Sequence, residues 1–271
     1  VHLFSEAGRL AFADRAQYVA DPDFVPVNQA ALLSPAYLAE RARLITDRSL
    51  GRAAAGTPGP AGSAMAPDAS PHRIATSHIS AVDATGRAVS MTTSIEDAFG
   101  SRLMVRGFLL NNQLTDFSFL PRESDGKGMA RPDGAIVANR VQPGKRPRSS
   151  MAPTLIFDRA SNQLVATLGS PGGSQIINYV AKTVVGVLDW QLDIQQAIAL
   201  PNFGSRNGPT EVEDGLVSAG VIEALKARGH DVRAIPMTSG VQGIVRLRDG
   251  SGATRWAGGA DPRREGIALG D

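Results

Sequence analysis

The 271 residues include no cysteine, which excludes disulfides, thiolate nucleophiles and Cys-ligated zinc whatever the compartment. The four histidines, His2, His72, His78 and His230, fall at no HExxH or comparable spacing, so no structural metal site is expected. No apolar run approaches the roughly 20 residues needed to cross a bilayer. Neither sign of charge dominates, with 28 Lys and Arg against 26 Asp and Glu. The basic residues are scattered rather than striped with aromatics, which argues against a nucleic-acid partner. Position 1 is not methionine, and Val1-His2-Leu3-Phe4 has neither a charged leader nor an apolar core of a signal peptide. The chain is therefore expected to be a piece of a longer protein.

At 42% hydrophobic residues, the chain can bury a sizeable core. Leu10, Phe12, Ala16 and Val19 suit a packing helix over 5–20 that ends before Asp21-Pro22. Ser34 as N-cap with Pro35 in the first turn predicts a second helix through Ile45. Residues 51–71 are rich in Gly, Ala and Pro, lack periodicity and predict a mobile linker. A strand pattern then begins abruptly. Residues 77–83 alternate, 84–87 supply a turn and 88–95 are β-rich, which describes a hairpin with Thr76 at its leading end.

Two further strands, 153–157 and 164–168, flank an Asp158–Asn162 turn and feed the loop Gly169-Ser170-Pro171-Gly172-Gly173-Ser174. A helix carrying Ile176, Ile177, Val180, Val184, Val185 and Leu188 follows. Shorter helices are expected near 194–200 and 218–228, the latter closed by Gly229, with strands near 232–235 and 243–247. This order favours antiparallel sheet with helices on its outer faces over an alternating βαβ domain.

The Gly-rich loop between strand and helix could present backbone amides to a phosphate or, equally, to an oxyanion. It lacks the Lys-Ser/Thr ending of a P-loop. His78 with Ser80 and Asp83 has the composition of a triad, but residues two apart on a strand point the same way and do not converge on one reacting carbon. A packing or hydrogen-bonding role near Thr76 is the simpler expectation. Asn111-Asn112-Gln113 with Asp116-Phe117-Ser118, and Arg146-Pro147 with Ser149-Ser150-Met151, are polar clusters that could each be ordinary loop networks.

Taken in order, Thr76-Ser77-His78-Ile79-Ser80-Ala81-Val82-Asp83, Thr92-Thr93-Ser94, these two clusters, the Gly169–Ser174 loop and Gly258-Gly259-Ala260-Asp261-Pro262-Arg263 resemble the γ-glutamyltranspeptidase family of N-terminal-nucleophile hydrolases. The likeness covers 76–271 as a small subunit. Phe12-Ala13-Asp14-Arg15 and Asp21-Pro22-Asp23-Phe24 resemble the tail of the large subunit, most of which is absent.

The resemblance implies an α+β fold, an αββα sandwich left incomplete by that absence. It divides the chain into a helical tail (1–50), a linker ending at a self-cleavage point (51–75) and a catalytic domain (76–271). It implies a precursor that cuts itself before Thr76 to give a heterodimer of large and small subunits. Thr76 would then attack glutathione or another γ-glutamyl amide, with water or an amino acid as acceptor of the acyl group. Ser94 matches the hydroxyl that supports the threonine, and the Gly172 and Gly173 amides match the oxyanion hole. Gln113 and Asp116 match groups that hold the substrate's α-ammonium, Ser149 and Ser150 those that bind its carboxylate. Glu96 stands where many members have asparagine on the α-amino group, which leaves open a related acylase acting on glutaryl-type amides. No cofactor or metal is implied, and the family's carboxylate-gripping arginine is assigned to no residue of this chain. Members are commonly periplasmic or secreted. A catalytically silent fragment is the competing expectation.

Overall fold

The computed structural model describes residues 1–59, 65–68, 76–248 and 254–270. In chain order the elements are α1 (His2–Tyr18), α2 (Gln29–Leu32), α3 (Pro35–Ala42), β1 (Ser77–Val82), β2 (Ala88–Thr93), β3 (Met104–Val105), β4 (Phe108–Leu109), a 3₁₀ turn (Gln113–Asp116), β5 (Thr154–Phe157), β6 (Leu164–Gly169), a second 3₁₀ turn (Gly173–Gln175), α4 (Ile176–Leu188), α5 (Ile194–Ala199), β7 (Phe203–Ser205), β8 (Thr210–Glu213), α6 (Ala219–Ala227), β9 (Val232–Ile235), β10 (Gln242–Arg248) and β11 (Thr254–Ala260). They group into two compact units that interleave along the chain: Val1–His72, Gln113–Ser149 and Phe203–Ile235 form one, and Arg73–Asn112, Ser150–Asn202 and Pro236–Asp271 the other.

The second unit is layered. Its four-stranded antiparallel sheet runs β11-β10-β6-β5. Strand β6 sorts its side chains by alternation: Ala166 and Leu168 join Ile176 and Val180 of α4 in a buried apolar cluster, whereas Thr167 points to the β1–β2 hairpin and donates to the Val89 carbonyl at 3.2 Å. Ser80 donates to the Gln242 carbonyl and Ser90 to that of Leu168, so the hairpin rests on the sheet through hydroxyls. Helix, sheet and hairpin thus make three layers. Buried Lys182 of α4 gathers the carbonyls of Ile198 (3.3 Å) and Leu200 (2.7 Å) and Asn202 Oδ1 (2.9 Å), sharing with Arg263 the carbonyls that the end of α5 leaves without helical partners.

In the first unit α1 packs against β7, and Phe203, Val212 and Leu225 form a core with Phe4, Val217, Ile222 and Val232. Here the expectation of antiparallel pairing meets a local exception, because β8 and β9 are parallel and α6 connects them. Short strands β7 and β8 show no long alternation and are invisible to periodicity. Buried Arg9 ties the unit together, bonding Glu6 Oε1 at 2.8 Å, Thr210 Oγ1 at 2.8 Å and the carbonyls of Gly51 and Gly208.

Where composition predicts a mobile linker, residues 51–59 are held in place. Ala53 exchanges two hydrogen bonds with Asn207, and the Gly56 amide donates to Asp14. Ala66 bridges Val137 in parallel. The rest of the linker, including Ala75 on the acyl side of the expected scission point, lies outside the described residues. So does the tip of the β10–β11 hairpin.

Candidate active site

Thr76 is half-buried immediately before β1. Ser77 pairs with Thr93 in the hairpin register, so the next position brings Thr76 opposite Ser94, and the Thr76 hydroxyl donates to Ser94 Oγ at 3.2 Å. Ser94 Oγ also accepts from the Glu96 amide at 2.9 Å. Glu96 is buried and holds a left-handed backbone, φ 75°, a conformation that costs a non-glycine residue about 1 kcal/mol or more and is found where surroundings impose it. Asn112 Nδ2 donates to its carboxylate, and the Asp97 amide donates to Asn112 Oδ1 at 2.9 Å. A continuous polar path therefore runs Thr76–Ser94–Glu96–Asn112. The sequence placed Asn112 in a polar cluster without a partner; only the fold joins it to Glu96.

Gly172 and Gly173 both have positive φ, 140° and 57°. A Cβ on Gly172 would lie 2.5 Å from Tyr179 Cε2, so no larger residue fits there. Among the described residues, neither glycine's amide is hydrogen-bonded within the chain, while the Gly172 carbonyl accepts from Gln175 as the chain turns into α4. The loop is anchored at Ser170, whose Oγ accepts from the Gly240 amide at 3.2 Å. The neighbouring Ser239 hydroxyl donates to Asp261 Oδ2 at 2.6 Å, which also accepts from the Val241 amide. That gives the closing Asp261-Pro262-Arg263 segment a physical task in holding the strand edge beside the loop. Ser150 belongs to this same unit.

Gln113, Asp116 and Ser149 belong to the other unit. Gln113 and Asp116 are the ends of a 3₁₀ turn. Fully buried Asn139 accepts from the Arg148 amide at 2.9 Å and donates to the Asp116 carbonyl at 2.8 Å and to Asp68 at 2.9 Å. Arg148 pairs with Asp68 at 3.2 Å, and Arg15 donates to the Ser149 carbonyl at 3.1 Å. Burial, and then the like charge of Arg148, pull the Arg15 guanidinium down to about 9, opposed by Asp68 and Asp116. Asn139 and Asp68 carried no sequence signal, since a buried Asn is recognisable only from its partners.

His78 is buried on β1, with Nδ1 2.8 Å from Thr92 Oγ1 and Nε2 3.1 Å from Ser80 Oγ. Asp83 is instead engaged at the hairpin turn by Thr85 and Arg87, so no triad forms. Ligand atoms of His2, Glu6 and His230 lie within 4.8 Å of one another, close enough to suggest a metal site that spacing in sequence did not. The imidazole lone pairs there are already used. The Thr46 carbonyl can only accept, which makes His2 Nε2 a donor (2.7 Å). His2 Nδ1 then accepts from His230 Nε2 (2.7 Å), and His230 Nδ1 accepts from Thr210 (2.7 Å). Glu6 is taken by Arg9, Ser49 and the Leu50 amide.

A family model described as gamma-glutamyltranspeptidase matches residues 1–271. The glutathione hydrolase proenzyme of Bacillus subtilis is 34% identical over 99% of this chain and 44% of its own length. Among solved structures, Helicobacter pylori gamma-glutamyltranspeptidase superposes with a TM-score of 0.60 at 33% identity, covering 69% of this chain and 99% of that one. Cephalosporin acylase from Bacillus halodurans reaches a TM-score of 0.76 at 25% identity, covering 98% of this chain and 44% of that one. The chain spans less than half the length of the Bacillus subtilis relative. With a match along its full length and relatives above 30% identity that align with nearly all of it, the chain belongs to the gamma-glutamyltranspeptidase family of mixed α+β, N-terminal-nucleophile hydrolases.

Proposed function

We propose that this chain carries the nucleophilic half of a self-processing γ-glutamyl transferase/hydrolase, its precursor cut between Ala75 and Thr76 into a tail-bearing large subunit and a small subunit of 76–271. The observation that carries the reading is the Thr76 hydroxyl bonded to Ser94 at 3.2 Å at the leading end of a hairpin in a chain of this family. Attack of Thr76 Oγ1 on the Ala75 carbonyl breaks the Ala75–Thr76 C–N bond, the nitrogen taking the proton and becoming a free α-amine, and water then hydrolyses the ester to release the Ala75 carboxylate and the Thr76 hydroxyl. An α-amine has a reference pKa of about 8 and suits a general base near neutrality.

That amine accepts the hydroxyl proton as Oγ1 attacks the γ-carbonyl of glutathione or a related amide. Gly172 and Gly173 amides receive the oxyanion, and removing one such donor typically costs about 3 kcal/mol in the transition state. Collapse passes the proton to the departing amine and leaves an acyl-threonine, which water or an amino-acid amine resolves. Gln113 and Asp116 are assigned to the substrate's α-ammonium, Ser149 and Ser150 to its carboxylate. Export to the periplasm or medium fits the family.

Glu96 separates this reading from its runner-up, an acylase of glutaryl-type amides, favoured by the likeness to cephalosporin acylase. A buried carboxylate held by Asn112, two residues after Ser94, suits a substrate bearing an ammonium and repels one that lacks it. The test compares a γ-glutamyl anilide with the glutaryl anilide. Glu96→Gln is expected to raise KM for the first about tenfold and leave the second within twofold. Faster turnover of the glutaryl anilide by the unaltered protein would reverse the assignment.

A further inference from the structure

The inner face of the hairpin is a polar ladder, with Thr76 opposite Ser94, His78 opposite Thr92 and Ser80 opposite Ser90. The Ser80–Ser90 rung bonds the sheet below through its hydroxyls, and the His78 rung meets it through the imidazole ring. Its ring lies directly on Gly169: a Cβ there would sit 2.3 Å from Cε1, 2.5 Å from Nδ1 and 2.8 Å from Nε2. Gly169 ends β6, pairs with Gln242 of β10 and is the residue from which the Ser170–Gly173 loop departs. Ser80, which contacts His78 Nε2 at 3.1 Å, spends its own proton on the Gln242 carbonyl at 3.4 Å. Nε2 is therefore the donor to Ser80, and Nδ1 accepts from Thr92.

One side chain thus fixes three things: the β1–β2 register two residues from Thr76, the height of the hairpin above β10, and the closeness of the hairpin to the strand end that launches the Gly172–Gly173 loop. Burial pulls its pKa down to about 4, so the ring is neutral near neutrality and keeps one donor and one acceptor. We infer that His78 is a positioning residue, which sets the placement of the Thr76 hydroxyl relative to the Gly172 and Gly173 amides without touching substrate. The inference rests on the function proposed above. Misplacement by 1 Å costs on the order of 100-fold in rate.

The test uses the chain with the N-terminal part of a relative supplied, following scission by mass spectrometry and turnover with a γ-glutamyl anilide. His78→Leu is expected to lower kcat about 100-fold with KM within threefold, and His78→Gln, which keeps a donor toward Ser80, to recover about tenfold of that loss. Wild-type kcat in processed His78→Leu would overturn the inference. If His78→Leu does not fold, the pair Gly169→Ala and Gly169→Ala with His78→Ser decides. The added methyl collides with the ring, so the single variant loses kcat and melts lower, and shortening the ring restores both. A double variant no better than the single would overturn the inference. A wild-type protein inactive on every γ-glutamyl anilide would instead overturn the proposed function, leaving the melting temperatures of this pair to judge the His78–Gly169 contact.

Discussion

The proton chain through His2, His230 and Thr210 shows how one carbonyl can dictate several tautomers. Because the Thr46 oxygen offers no proton, His2 Nε2 donates to it, His2 Nδ1 meets His230 Nε2 and His230 Nδ1 meets Thr210, so each ring nitrogen is committed. Burial holds the His230 pKa below its usual value, Glu6 raises it, and Arg9, His2 and Arg228 lower it. The folded state thus binds its proton more weakly than the unfolded chain. The stability from neutral His230 is full above the unfolded pKa of about 6.5 and is lost as pH falls below it. The melting temperature is expected to drop between pH 7 and 5, with a shallower slope in His230→Gln, as followed by circular dichroism. Glu96 and Asn112 make the complementary point about legibility. The type of residue at each position could be read from the sequence, but the left-handed turn that aims Glu96 at Asn112 is set by the loop around them.

At the level of elements, the hairpin, β5, β6, α4, α5, α6, β9 and β10 were all legible, because each carries a period or a cap that local physics enforces. Ser34 and Ser218 bond the amides of Tyr37 and Val221 as N-caps should. Of the elements that escaped, α2, β3, β4, β7 and β8 have two to four residues each, too few for a period, while seven-residue β11 (Thr254–Ala260) ends in Gly258-Gly259-Ala260 and shows no apolar alternation. Helix α1 was anticipated from Leu10 and Phe12, yet its buried face also carries Ser5, Glu6, Arg9 and Asp14, which no apolar stripe announces. Arg9 is the sharpest case. Replacing it by Met strands Glu6 as a buried, partly uncompensated charge and is expected to cost about 3–5 kcal/mol in a denaturant titration. Replacing Glu6 by Leu as well should recover a large part of that loss.

For the whole molecule, the compact units ignore the boundary that scission would create. Residues on both sides of position 76 build the first unit: α1 packs on β7, and Arg9 reaches Gly208 and Thr210. The proposed cut would therefore leave two chains held by a shared, largely buried interface rather than two separate domains. Family and fold class were legible in the ordered motifs; the interleaving was not, because contacts such as Asn139 with Asp68 span 71 positions. The account stands most directly on the identity of the new chain end. Mass spectrometry of the expressed chain, alone and with a relative's N-terminal part supplied, is predicted to reveal a product beginning at Thr76 that is absent from Thr76→Ala. A chain that stays in one piece under both conditions would contradict it.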